Sequence, residues 1–212
     1  MVMPAGSSFC LPFSQLFAEF EWARADTIFK GDFGVMDEGI HPTDISQRSL
    51  GDCYFIAAIC AISENEDRIK KLFISQKRNE QGVYCVTFCV TGTWEHILLD
   101  DYFVIDPQCG YRSAFSCSRD NQIWMMLLLK AWAKIYGGYL NVCGGTTLEV
   151  LPDLTGAPSA HFDPKIGSEE YHWEVLMDAS DNEFIMCAST PVIEGVGSNG
   201  IDEKTGLVSD HA

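Results

Sequence analysis

Cys53 is the residue of this chain best placed to act as a nucleophile. It follows the Gly51-Asp52 turn and opens a nearly all-apolar stretch, Tyr54-Phe-Ile-Ala-Ala-Ile-Cys-Ala-Ile-Ser63. A run of that length, without Gly, Pro or alternation, suits a buried helix better than a strand. The sulfur then lies beside the unpaired N–H groups of the first turn, which favour negative charge and nucleophilic character. Position alone leaves a second reading, in which Cys53 is one more small core residue. Acyl chemistry at a thiol also needs an imidazole base and a donor for the developing oxyanion. Gln47, six positions earlier, is within reach of such an oxyanion together with the Cys53 backbone N–H. Of the five histidines, His211 has a Gly/Ser/Asp-flanked apolar context near the end of the chain. Taken singly, such a Gln equally suits a solvated loop, and such a His a structural or surface role.

The elements that must position these residues are legible in outline. The first thirty residues read as an irregular arm leading into a short helix around Leu16–Ala25, followed by polar turns from Gly31 to Thr43. Gly82–Val90 and Trp94–Leu99 are rich in β-branched and aromatic residues and predict a pair of strands. Asn121–Tyr136 predicts a second long helix, stopped by Gly137-Gly138. Asp153-Leu-Thr-Gly-Ala-Pro158 combines Gly and Pro and reads as a hinge. Beyond it, Glu169–Met177 predicts a helix, Phe184–Val192 a strand and Glu194–Thr205 a surface loop. An apolar strand start, Gly206-Leu-Val-Ser-Asp-His211, stands at the last residues, and a domain that stops on an opening strand reads as truncated.

Composition narrows the function classes. The 212 residues carry 14 basic and 30 acidic side chains, a net charge of −16. With no extended Lys/Arg run, that balance argues against nucleic acid and anionic membranes as partners. Hydrophobic residues make up 47% and charged residues 21%, a globular composition that argues against intrinsic disorder. The apolar runs fall far short of the ~20 residues of a membrane-spanning helix, and the N-terminus lacks the basic flank of an export signal. Nine cysteines cannot all pair with one another, which suits free thiols in a reducing, cytoplasmic compartment. Cys60, Cys85, Cys89 and Cys187 sit among apolar neighbours as small core residues. No Cys-x-x-Cys pair or His spacing suggests structural zinc.

The segment Asp44-Ile-Ser-Gln-Arg-Ser-Leu-Gly-Asp-Cys-Tyr-Phe-Ile-Ala-Ala58 resembles the active-site segment of calpains, papain-like cysteine proteases whose pattern is Gln-Gly-x-Leu-Gly-Asp-Cys-Trp before an apolar helix. The similarity continues through Asp100-Asp-Tyr-Phe103, Ser118-Arg-Asp-Asn-Gln-Ile-Trp124, Lys130-Ala-Trp-Ala-Lys-Ile-Tyr-Gly-Gly-Tyr139 and Gly144-Gly-Thr-Thr-Leu-Glu149. It reaches Leu154-Thr-Gly156 and Gly206-Leu-Val-Ser-Asp-His-Ala212. The motifs run in family order from about residue 40 to the last residue. The resemblance implies an α+β, papain-like fold with a mostly helical cysteine lobe and the start of a β-rich histidine lobe. Its expected organisation is an arm and short helix over 1–36, lobe I over 37–156 and partial lobe II over 157–212.

Carried over residue by residue, the resemblance makes Cys53 the nucleophile, Gln47 the oxyanion donor and His211 the general base of an endopeptidase acting on protein substrates. The family's orienting Asn, in an Asn-Pro-Trp motif after the histidine, has no counterpart in these 212 residues. That implies little peptidase activity for this polypeptide alone, or a non-catalytic binding or regulatory module. Tyr54 replaces the family's Trp and is expected to keep a wall of the cleft, Arg48 replaces a usual Gly, and Asp210 a usual Gly before the histidine. A carboxylate at 210 would favour the charged imidazole. The resemblance also implies calcium, held just before the nucleophile by an Asp, backbone carbonyls and a Glu. Asp44 and Gly39 match the loop positions, Gln122 stands where the Glu is expected, and Pro42 replaces an inter-lobe arginine. An amide in place of a carboxylate predicts weak binding, high-micromolar or poorer. Accessory domains or a regulatory subunit are further expectations of the family.

Overall fold

A computed structural model describes residues 19–197 and 200–212. In chain order the described strands are β1 (Glu21–Arg24), β2 (Ile45–Ser46), β3 (Val83–Val90), β4 (Thr93–Asp100), β5 (Tyr102–Asp106), β6 (Arg112–Ser113) and β7 (Cys117–Ser118). The helices are α1 (Ala25–Ile28), α2 (Cys53–Ser63), α3 (Glu66–Lys70), α4 (Trp124–Ile135), α5 (Thr147–Thr155) and α6 (Glu169–Asp181). The arrangement is mixed α+β, as the sequence implies.

The two long helices and the hairpin stand where the residue pattern puts them. Helix α2 opens at Cys53 and buries Phe55, Ala58, Ile59 and Ile62. Helix α4 buries Trp124, Leu127, Leu128, Ala131 and Trp132 and ends at Tyr136, where Gly137 takes a φ of 87°. Strands β3 and β4 pair antiparallel through a tight Thr91-Gly92 turn with φ of 50° and 83°, the left-handed pair that suits the twist of a two-residue hairpin. Tyr84, Val86 and Phe88 bury one face of β3, and Ile97 and Leu99 the matching face of β4. That face packs against α4, while α2 rests on α3 and α5. These side chains form one core around α2.

Three expectations change in the structure. Of the helix expected around Leu16–Ala25, residues up to 18 lie outside the described chain, and Glu21–Arg24 is a strand. Pairing with β5 overrides local propensity there, in the register Glu21↔Ile105 to Arg24↔Tyr102. The Arg24 guanidinium locks the strand end with a two-pronged contact to the buried Asp101 carboxylate, 2.8 and 3.0 Å. Phe184–Val192 is no continuous strand: Thr190 alone forms a β-bridge, to His211, and the next residue, Pro191, has no N–H to extend it. Asp153–Thr155, expected as part of a hinge, completes α5, which Gly156 closes at a φ of 69°.

Residues 157–212 pack lightly on the rest. Helix α6 buries no residue, and Trp173 on it is 64% exposed. The segment touches the core through Ile185 and Ala212, through Arg68 Nη2 donating to the Glu183 carbonyl (3.2 Å), and through Cys187 Sγ at the Ala57 carbonyl (3.8 Å). Among the described residues no helix is long and apolar enough to cross a membrane.

Candidate active site

Cys53 is the first residue of α2, a half-buried free thiol at the helix N-terminus. The turn before it is built inward. Asp52 occupies the N-cap position but makes no side-chain cap. Its carboxylate is fully buried, and Ser116 Oγ donates to its Oδ2 at 2.7 Å. Asp52 Oδ1 has no hydrogen-bond partner among the described residues. Burial pushes the Asp52 carboxyl up to about 7, against the opposing influence of Ser116, its own backbone N–H and the Gln47 amide.

Gln47 is exposed on the same turn and donates Nε2 to the Leu50 carbonyl at 3.1 Å. A carboxamide has two N–H groups, and this bond uses one of them. A glycine loop backs the turn: Gly144 N donates to the Gly51 carbonyl at 2.8 Å. Tyr54 is not a cleft wall. It is 3% exposed, donates to the Val142 carbonyl (2.9 Å) and accepts from Trp132 Nε1 (3.1 Å). Its hydroxyl thus finds partners in the core, which is why an amphipathic ring can be buried there.

His211 lies on the segment that touches α2. Cys187 meets Ala57, one helical turn along from Cys53, and Thr190, three residues on, bridges His211. Three residues span at most about 10 Å, so the segment bearing His211 runs close to α2. It has partners of its own. Thr190 N donates to the His211 carbonyl (2.8 Å), His211 N donates to Thr190 Oγ1 (3.1 Å), and Ile201 bridges Val208. The imidazole Nδ1 meets the Ala212 carbonyl oxygen at 2.7 Å, and among the described residues no hydrogen bond joins His211 to Cys53. Asp210 has a φ of 57°, a left-handed conformation in which Asp is tolerated and Gly is favoured.

Of the three residues matched to a calcium loop, Gly39 and Gln122 are joined to each other by a hydrogen bond, while Asp44 pairs with Arg119. Gln122 Nε2 donates to the Gly39 carbonyl (3.2 Å) and to the Asp120 carboxylate, and its Oε1 accepts from Glu38 N (3.3 Å). The Asp44 carbonyl accepts from Arg119 N at 2.9 Å. An amide N–H already meets the Gly39 carbonyl that a cation would use, so the donor set as arranged does not fit calcium. Among the described residues no three His, Cys, Asp or Glu side chains gather as metal ligands.

Sequence reasoning missed Asp52, Ser116 and Thr190 as supporting residues. Asp52 reads as a turn residue because nothing local announces that its side chain points inward. Ser116 and Thr190 act through contacts 64 and 21 residues away in the chain.

Comparison with known proteins identifies the family. A family profile described as calpain family cysteine protease matches residues 4–212. The chain is 30% identical over 213 residues to the "Calpain-type cysteine protease DEK1" of Arabidopsis thaliana, covering 95% of this chain and 10% of that protein. It is 35% identical over 146 residues to "Calpain clp-4" of Caenorhabditis elegans, covering 67% and 20%. To "Calpain-9" of Rattus norvegicus it is 28% identical over 199 residues, covering 91% and 28%. The chain thus spans between a tenth and about a quarter of the length of these relatives. With its motifs in family order and its α+β arrangement consistent with a papain-like catalytic core, the chain belongs to the calpain family of cysteine proteases.

Proposed function

We propose that this chain is the nucleophile-bearing part of a calpain-type endopeptidase that cleaves peptide bonds in intracellular proteins. The observation that carries the proposal is the turn Gln47–Cys53, which sets a half-buried thiol and an amide donor at one helix N-terminus. In the reaction Cys53 Sγ attacks the scissile carbonyl carbon and forms the thioester as the C–N bond breaks. Gln47 Nε2 and the Cys53 backbone N–H meet the oxyanion, and His211 gives the leaving amine its proton. Water then attacks the thioester, with His211 as base, and releases the acid and the thiol. Residues 37–156 act as the cysteine lobe and 157–212 as the opening of the histidine lobe. Thiols at Cys53, Cys60, Cys85, Cys89, Cys109, Cys117 and Cys187 suit a reducing cytoplasm. The family is generally calcium-regulated. Calcium control of this protein would act through residues other than Asp44, Gly39 and Gln122.

One observation favours the second reading, a non-catalytic calpain-type module used for binding or regulation. His211 Nδ1 is engaged by the Ala212 carbonyl oxygen, and among the described residues no hydrogen bond joins it to Cys53. The discriminating experiment joins the chain to a family-type continuation that carries the Asn and measures turnover of a fluorogenic peptide. An endopeptidase loses activity by about a thousandfold or more in Cys53→Ser and in His211→Ala. Turnover that survives both substitutions, or none in the extended protein, contradicts the catalytic reading.

A further inference from the structure

Gln122 is 2% exposed and sits where two stretches of chain close on each other. Its backbone makes a parallel bridge to Gly34, flanked by Gly34 N to the Asn121 carbonyl (3.2 Å) and Ile123 N to the Gly34 carbonyl (3.1 Å). Trp124 N continues the pairing to the Val35 carbonyl at 3.1 Å. Its side chain then reaches the far end of the same loop, at Glu38 and Gly39. The orientation of the carboxamide is dictated by its neighbours. Glu38 offers an N–H and takes the amide oxygen, while Gly39 and Asp120 offer oxygens and take the amide nitrogen. Ser118 Oγ donates to the other Asp120 oxygen, so the network extends back into β7. Both donors and the acceptor of the amide are used.

We infer that the Gln122 carboxamide takes the place of the divalent cation in this loop and holds residues 34–44 closed without metal. A cation approaching the Gly39 carbonyl would meet the two amide hydrogens, which carry positive charge toward the same oxygens. A glutamate at this position would do the opposite. It would set a second carboxylate beside Asp120 and an unprotonated oxygen against the Gly39 carbonyl, an arrangement that holds together only around a counter-charge. The neutral amide removes that need. The loop before Cys53 is therefore held in this arrangement by neutral hydrogen bonds, with no metal required.

The test uses the full 212-residue chain with Cys53→Ser, so that no readout depends on peptidase activity, and compares it with added Gln122→Glu and Gln122→Met. Calcium binding is followed by calorimetry and thermal unfolding with and without calcium. The expected parent shows no saturable binding tighter than about 1 mM and no shift of its midpoint. Gln122→Met, which loses all three hydrogen bonds, unfolds roughly 5 °C lower and stays insensitive to calcium. Gln122→Glu unfolds lower in the absence of metal, recovers on adding calcium, and binds calcium at least about tenfold more tightly than the parent. Calcium binding by the parent in the micromolar range that Asp44→Ala abolishes would overturn the inference. So would a Gln122→Met variant as stable as the parent. Should Gln122→Glu not fold, the parent titration and Gln122→Met still decide the matter.

Discussion

Ser116 Oγ donates to Asp52 Oδ2 at 2.7 Å, inside the protein and directly behind the first turn of α2. The pair joins the residue before Cys53 to the stretch between β6 and β7, and it leaves the second Asp52 oxygen buried without a partner among the described residues. Such a carboxylate is costly when charged, which is why burial dominates its titration.

The first prediction follows from that titration. Asp52 binds its proton more tightly in the folded protein, at about 7, than at the ordinary value of 3.8. Between those values the folded state holds more protons than the unfolded state. The stability that Asp52 contributes is therefore fully present below about pH 4 and is lost as pH rises through 7, by up to roughly 1.4 kcal/mol per pH unit. Asp52→Asn keeps the shape and removes the titration. Urea unfolding at several values between pH 4.5 and 7.5 should show the parent losing stability relative to Asp52→Asn as pH rises. Parallel pH profiles for the two proteins would contradict the assignment.

The second prediction concerns the glycine loop beside the nucleophile turn. A Cβ at Gly145 would stand 2.6 Å from Tyr54 Cε2, and Tyr54 is fixed at its hydroxyl by Val142 and Trp132. The ring cannot swing away without giving up both bonds. Gly145→Ala should cost about 1–3 kcal/mol in chemical unfolding. Tyr54→Phe in the same background should recover part of that loss, because the ring is then free to shift. An unchanged midpoint in Gly145→Ala would show that the loop and ring are not in the contact described.

The third prediction tests the placement of His211. Thr190 Oγ1 accepts from His211 N (3.1 Å) and reaches the Val208 carbonyl at 2.5 Å, so one hydroxyl fastens both ends of the histidine segment. Thr190→Val preserves shape and removes the hydroxyl. Amide hydrogen exchange at His211 should quicken by roughly tenfold, the equivalent of about 1.4 kcal/mol, with little change at residues of α4. Exchange at His211 that does not change would mean the segment is held by other contacts.

How far the sequence reveals the molecule depends on the range of the forces involved. Cys53 at a helix start, the β3–β4 pair and the end of α4 are local: apolar continuity, alternation and a glycine stop are enough to read them. Strand β1 is not, since its state is decided by β5, some 80 residues away, through Arg24 and Asp101. The inward turn of Asp52 depends on Ser116 and the whole wall of the core behind α2. The cysteines show a milder version of the same limit. Of the four expected in the core, Cys89 is buried, whereas Cys60, Cys85 and Cys187 are only partly covered. Asp210 illustrates the reverse case. The family's Gly before the histidine is a sequence pattern without a visible reason until the backbone shows a φ of 57° there.

The central claim is that Cys53 is the nucleophile, and selective trapping by a peptidyl epoxysuccinate tests it most directly. Cys109 is more exposed, yet its hydrogen bond to Asp106 pushes its thiol up and disfavours the reactive thiolate. Burial does the same to Cys60 and Cys187. The thiol at the start of α2 is set apart by its half-buried place at a helix N-terminus. Intact-mass and peptide mapping after brief exposure should find one inhibitor per chain, on Cys53, with Cys53→Ser unlabelled over the same interval. Labelling that favours Cys109, or that spreads evenly over the cysteines and persists in Cys53→Ser, would contradict the account.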